Sequence, residues 1–125
     1  PRADAVILTT SLNASTRHLM NARTIDLMKR TAVLVNVSRG PVVDEGALAE
    51  ALHAKRIHGA GLDVFEHEPK IDPRLLEADN VVLLPHLGSA TIEDRTELTR
   101  ICVEDIASVL DGSEPSFPVD TGPVA

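Results

Sequence analysis

The chain has 125 residues, 43% of them apolar and 25% charged, with a net charge of −7, two phenylalanines and neither tryptophan nor tyrosine. These values suit one soluble globular domain or a piece of one. They exclude a helical membrane span, which needs about 20 consecutive apolar residues, and argue against nucleic acid, which needs a basic footprint and usually aromatic stacking.

Cys102 is the single cysteine. No internal disulfide is possible, and with no signal-peptide pattern at the N-terminus a reducing, cytoplasmic setting is expected. Ala3 to Leu8 reads as a strand, followed by a polar loop from Thr9 to Arg17. Asn21 suits the N-cap of a short helix holding Ile25 and Met28. Ala32 to Val37 is the second strand, and Ser38-Arg-Gly-Pro41 the turn after it. Asp44 caps the next helix, whose Leu48, Ala51 and Leu52 share one face at helical spacing. Gly59 to Phe65 forms the third strand. A loop from Pro69 to Asp79 holds one helical turn at Leu75-Leu76, and Val81 to Leu84 is the fourth strand. A long helix from about Thr91 to Leu110 carries Leu98, Cys102, Ile106, Val109 and Leu110 inward, and Gly112 ends it. The tail over 113–125, with Pro115, Pro118 and Pro123, is expected to be extended. Strand-helix alternation with near-continuous apolar strands predicts a doubly wound α/β fold, its parallel sheet covered on both faces.

Three ionisable residues follow three of these strands, so parallel pairing would gather them on one edge: Arg39, Glu68 and His86. Arg39 at a strand end also suits a solvated surface charge. Gly40-Pro41 turns the chain tightly behind it, however, and a guanidinium is suited to grip a planar carboxylate with two hydrogen bonds. Glu68 stands in Glu66-His-Glu-Pro69, where Pro69 favours an extended backbone before it; Glu66 and His67 are read as solvated. A carboxylate bonded to an imidazole favours the imidazolium and sets its tautomer, so Glu68 is read as tuning His86. His86 itself lies between a strand and a Gly-Ser turn, oriented and reachable. Asp63 interrupts an apolar strand, and a buried acid needs partners. It is either a satisfied structural carboxylate or an acceptor for a cofactor amide, the second being favoured. His53 and His58 are read as surface residues; His18 lies in the first loop, where nothing demands that it face the site.

Gly59-x-Gly61 opens a strand, whereas a dinucleotide fingerprint links a strand to a helix. His58, His67, Glu68 and His86 match no zinc spacing, so no metal is expected. Val37-Ser-Arg39 lacks the Gly-x-Ser-x-Gly elbow of a serine hydrolase.

Four segments carry a resemblance: Leu12-Asn-Ala-Ser-Thr-Arg-His-Leu-Met-Asn21, Asn36-Val-Ser-Arg-Gly-Pro-Val-Val-Asp-Glu45, Gly59-Ala-Gly-Leu-Asp-Val-Phe-Glu-His-Glu-Pro69 and Asn80-Val-Val-Leu-Leu-Pro-His-Leu-Gly-Ser-Ala-Thr91. In order and spacing they resemble the D-isomer-specific 2-hydroxyacid dehydrogenases, and the last leans toward the glyoxylate and hydroxypyruvate reductases. The resemblance implies the second half of a Rossmann-type sheet of about four strands with a long C-terminal helix. Residues 1–112 would be the nicotinamide-side half of an NAD(P)-binding domain and 113–125 a tail. It makes Arg39 the substrate-carboxylate anchor, His86 the general acid/base and Glu68 its partner. Thr10, Leu12, Val37, Ser38, Arg39, Asp63, His86, Gly88 and Ser89 would border NAD or NADP. Where Ser11 stands the family more commonly has proline. The substrate would be a small 2-oxo or 2-hydroxy acid, and the parent enzyme a homodimer. The family's substrate domain and Gly-rich phosphate turn have no counterpart here, so the chain is expected to be an inactive fragment of a longer enzyme. The competing reading is a dehydrogenase-like scaffold or corepressor; a flavodoxin-like module ranks last, since Thr9 to Thr16 contains no glycine.

Overall fold

Short aliphatic runs between polar turns form the four strands of the computed structural model, which describes residues 2–118. They are β1 (Ala5–Leu8), β2 (Val33–Asn36), β3 (Gly59–Leu62) and β4 (Val81–Leu83). All pair in parallel, in the spatial order β1-β2-β3-β4. Each strand is shorter than its apolar run. Val64 and Phe65, beyond the ladder, are buried by packing. The chain divides into two units, Pro1–Gly88 and Ser89–Ala125.

In the first unit, local chemistry starts each helix where the sequence places it. Asn21 caps α1 (Ala22–Ile25) through a reciprocal pair of bonds with Thr24, and the Asp44 carboxylate accepts the Ala47 amide at the start of α2 (Glu45–His53). Asp72 caps α3 (Pro73–Glu77), and the Arg74 side chain hydrogen-bonded to its carboxylate holds the Asp72 acid below its ordinary range. Leu48, Ala51 and Leu52 of α2 are fully buried with Ile25, Leu34 and Leu75. The strand residues in that core are alternate ones, such as Leu8, Leu34, Ala60 and Leu62, as the period of two requires.

Within this unit the helices' buried residues pack on one face of the sheet. Ile7 and Val82, pointing the other way, are 63% and 62% exposed. The residues that make a strand apolar throughout do not say which neighbour covers its second face.

In the second unit, Thr91 caps α4 (Ile92–Leu110), and Glu93 and Asp94 in its first turn complement the helix dipole. Arg100 bridges Glu97 and Glu104 along its surface. None of its residues is buried; Leu98, Cys102, Ile106, Val109 and Leu110, expected inward, are exposed. Their helical spacing is real, but an apolar stripe becomes a core only against a partner. Gly112, at φ 79°, follows the helix as expected. Residues 113–118 form neither helix nor strand, and Pro123 falls outside the described residues. No helix among the described residues is long and apolar enough to cross a membrane.

Candidate active site

Leu8, Asn36, Leu62 and Leu83 stand in register across the sheet. The loops that follow β1 to β4 therefore leave from one edge, which is the convergence the sequence predicts for Arg39, Glu68 and His86.

Asn36, 1% exposed, shapes the loop after β2. Its Oδ1 accepts the Ser38 amide and hydroxyl at 3.1 and 2.8 Å, and its Nδ2 donates to the Arg39 carbonyl at 3.0 Å. The turn thus leaves Arg39 exposed, with Nη1 donating to the Ser38 carbonyl at 2.7 Å. Gly40 lies against the next loop: a Cβ there would stand 1.8 Å from the Phe65 carbonyl oxygen.

Glu68 belongs to that loop after β3, and its peptide bond to Pro69 is cis. Its Oε1 accepts the Phe65 amide at 2.9 Å, and its Oε2 meets His86 Nδ1 at 2.9 Å. The bond from His86 is the main reason the Glu68 acid lies below its ordinary value of 4.5; the Phe65 amide and the charges of His86 and Arg39 act in the same direction, against desolvation. An ionised carboxylate can only accept. Nδ1 therefore carries the proton of the shared bond, and Nε2 is the nitrogen left to exchange a proton with a ligand. His86 has φ 56°, a conformation that costs a non-glycine residue about 1–3 kcal/mol. The adjoining loop is held by Asp63, whose two oxygens accept the Leu87 and Gly88 amides at 2.6 and 2.9 Å.

A carboxylate with a depressed pKa contributes stability that is complete above its unfolded value and is lost as pH falls through the folded one. The Glu68 carboxyl is accordingly expected to be mostly ionised at pH 4.5 and to take up its proton only at more acid pH. A carbon-13 titration of the Glu68 carboxyl checks this: a midpoint below 4.5 is expected, and one at or above it contradicts the pairing.

Thr10, Leu12, Val37, Ser38 and Arg39 line one cavity of about 490 Å³, with Thr9 and Ser11. A larger cavity, about 810 Å³, is lined by Glu45, Gly46 and residues 66–73. Its lining sets Glu45, Glu66, Glu68 and Asp72 against Lys70 and His67, whereas the charged side chain lining the smaller cavity is Arg39, so the smaller cavity is the better site for an anionic ligand. Asp63 is 6% exposed, and both its oxygens serve the loop after His86, as a structural carboxylate does. Gly88 closes the first unit beside Asp63; Ser89, at φ 61°, opens the second. His53, His58 and His67 are exposed, as expected. Glu66 is not solvated: Arg17 and His18 both donate to its carboxylate. Asn36 and Glu45 brace these loops with no role expected of them from the sequence, and Gly40 does so beyond the tight turn expected there. Only Asn36, a polar residue closing an apolar strand, left a signal that could have been found.

The family model for the NAD binding domain of the D-isomer specific 2-hydroxyacid dehydrogenases matches residues 1–88. The chain is 47% identical over 112 residues to glyoxylate/hydroxypyruvate reductase B of Enterobacter sp., covering 89% of this chain and 35% of that protein. It is 45% identical over 109 residues to glyoxylate reductase 1 of Saccharomyces cerevisiae, covering 87% and 31%. Among solved structures, the NADPH-dependent glyoxylate/hydroxypyruvate reductase of Sinorhizobium meliloti, in complex with NADP and malonate, superposes with a TM-score of 0.88 at 40% identity. That match covers 93% of this chain and 36% of the other. The chain therefore spans about a third of the length of its relatives. With four parallel strands in one sheet and a Rossmann-like neighbour at that similarity, it belongs to the D-isomer specific 2-hydroxyacid dehydrogenase family, within the NAD binding domain.

Proposed function

We propose that this chain is the nicotinamide-side part of an NAD(P)-dependent D-2-hydroxyacid dehydrogenase that reduces a small 2-oxo acid, glyoxylate or hydroxypyruvate. The observation that carries this reading is the 2.9 Å bond between Glu68 and His86 Nδ1, on the strand edge that also bears Arg39. Residues 1–112 form the partial cofactor domain and 113–125 its tail.

The cavity beside β1 and β2 fits the nicotinamide end of the cofactor. Leu12 and Val37, both exposed, offer it apolar surface, while Thr9, Thr10 and Ser38 offer polar groups, and its size lies within the range of small-molecule sites. Reduced nicotinamide, when bound, supplies a hydride to the carbonyl carbon. Arg39 holds the substrate carboxylate by a charge-assisted, two-pronged contact. His86 Nε2 holds the proton that passes to the carbonyl oxygen as negative charge develops there. Glu68 keeps the imidazole in the tautomer this needs and stabilises its cationic form. Arg39 and the imidazolium together favour the charge distribution of the transition state. Asp63 and Gly88 hold the His86 loop, and a carboxamide contact at Asp63 would use the second lone pairs of its oxygens.

The complete polypeptide containing this chain is expected to oxidise NADPH or NADH when given glyoxylate or hydroxypyruvate, followed by nicotinamide absorbance. The isolated 125 residues should turn over neither acid and bind the cofactor only weakly. Absence of turnover by the complete polypeptide would remove the proposed reaction; micromolar binding by the isolated chain in calorimetry would remove its fragment status.

A further inference from the structure

The Glu66 side chain is only 10% exposed, and its bonds join three segments of the first unit. Its Oε1 meets His18 Nε2 at 2.7 Å and accepts from Arg17 Nη2 at 3.2 Å, while Oε2 accepts the Glu45 amide at 3.4 Å. In return, the Glu66 amide donates to Glu45 Oε2 at 2.8 Å, and Glu45 Oε1 accepts the Asp72 amide at 2.6 Å. The segment that supplies Arg17 and His18 is itself tied to the turn after Arg39, since the His18 amide donates to the Pro41 carbonyl and the Met20 amide to that of Val42. The same loop begins as Thr9–Leu12, one wall of the 490 Å³ cavity.

Two residues on, the Glu68 side chain is 37% exposed, and its bonds go to the Phe65 amide and to His86. Its direction is therefore set by the backbone of the Phe65–Glu68 turn, and Glu66 is the side chain by which that turn is gripped. Glu66 makes no hydrogen bond to His86 or Arg39 among the described residues, so any effect it has on the chemistry passes through Glu68.

We propose that Glu66, gripped by Arg17 and His18, is a positioning residue. It sets the Phe65–Glu68 turn so that Glu68 meets His86 Nδ1, and it ties that pair to the loop bordering the cofactor cavity. The kinetic half of this proposal rests on the dehydrogenase reading; the geometric half does not.

Glu66→Gln keeps the size of the side chain and removes its charge. In the complete polypeptide it is expected to lower kcat about tenfold, and less than about twofold when Glu68→Gln is already present, because residues acting as one unit are not additive. The imidazole proton on Nδ1 of His86, followed by nitrogen-15 NMR, should shift or broaden in Glu66→Gln as its bond to Glu68 loosens. A variant carrying Arg17→Gln and His18→Asn removes the same contact from more exposed side chains, and should reproduce both effects if Glu66→Gln does not fold. An equal loss of kcat in both backgrounds, or an unchanged Nδ1 proton signal, overturns the proposal. A shifted signal in a polypeptide that reduces no 2-oxo acid upholds the positioning role while rejecting the dehydrogenase reading.

Discussion

Replacing His86 by glutamine in the complete polypeptide is expected to lower kcat for 2-oxo acid reduction by about 10²–10⁴-fold, the usual contribution of a positioned general acid. The glutamine amide can still donate to Glu68, so the loop after β4 keeps its main tether, and Asp63 continues to hold Leu87 and Gly88. What is lost is a proton that can be given up at neutral pH. His86 is not among the residues lining the 490 Å³ cavity, so cofactor affinity, read by nicotinamide fluorescence, should change little. Arg39 is untouched, so KM for the acid should change far less than kcat. Unchanged turnover would instead favour a different acid, or the scaffold reading in which this edge does no chemistry.

Gly40→Ala is expected to have the largest effect on stability. The added Cβ would stand 1.8 Å from the Phe65 carbonyl oxygen, 1.9 Å from its carbon and 2.5 Å from the Glu66 nitrogen. All three are backbone atoms, so no side-chain rotation relieves the overlap, and the two turns must move apart. Overpacking usually costs about 1–3 kcal/mol and occasionally more; with backbone on the receiving side, a loss at or above about 3 kcal/mol is expected in chemical denaturation. The same movement would separate Arg39 from Glu68, and displacement by about 1 Å at a reacting centre can cost around 10²-fold in rate. A stability change within about 0.5 kcal/mol, the range of an ordinary surface substitution, together with unaltered kinetics would refute the close approach.

Local features settled the element order. Asn21, Asp44 and Thr91 each offer a short oxygen-bearing side chain to a free amide, a requirement met within three residues of the cap. The strands were recognisable because their apolar runs are too short for helices and lie between polar turns, and parallel pairing then put Arg39, Glu68 and His86 on one edge. Their chemistry (one fixed cation, one carboxylate and one imidazole) suggested the roles proposed for them.

What tertiary structure decided is non-local. Glu66 and Glu68 lie two residues apart in a turn that follows the β3 ladder, where no periodicity tells which faces inward; His18, 48 positions away, draws Glu66 in. Asp63 was a buried acid on either reading, and only the folded loop after β4 brought two amides to its oxygens. Gly40 resembled any turn glycine until Phe65 lay against it. The second face of the sheet and the stripe on α4 were equally illegible. Amphipathic spacing records that a residue type can be buried, whereas burial itself belongs to the pair of surfaces that meet. The chain thus determines by itself its strands, its caps and the identity of its candidate reacting groups. The fold alone decides how rigidly those groups are aimed, because aim depends on contacts between segments far apart in sequence.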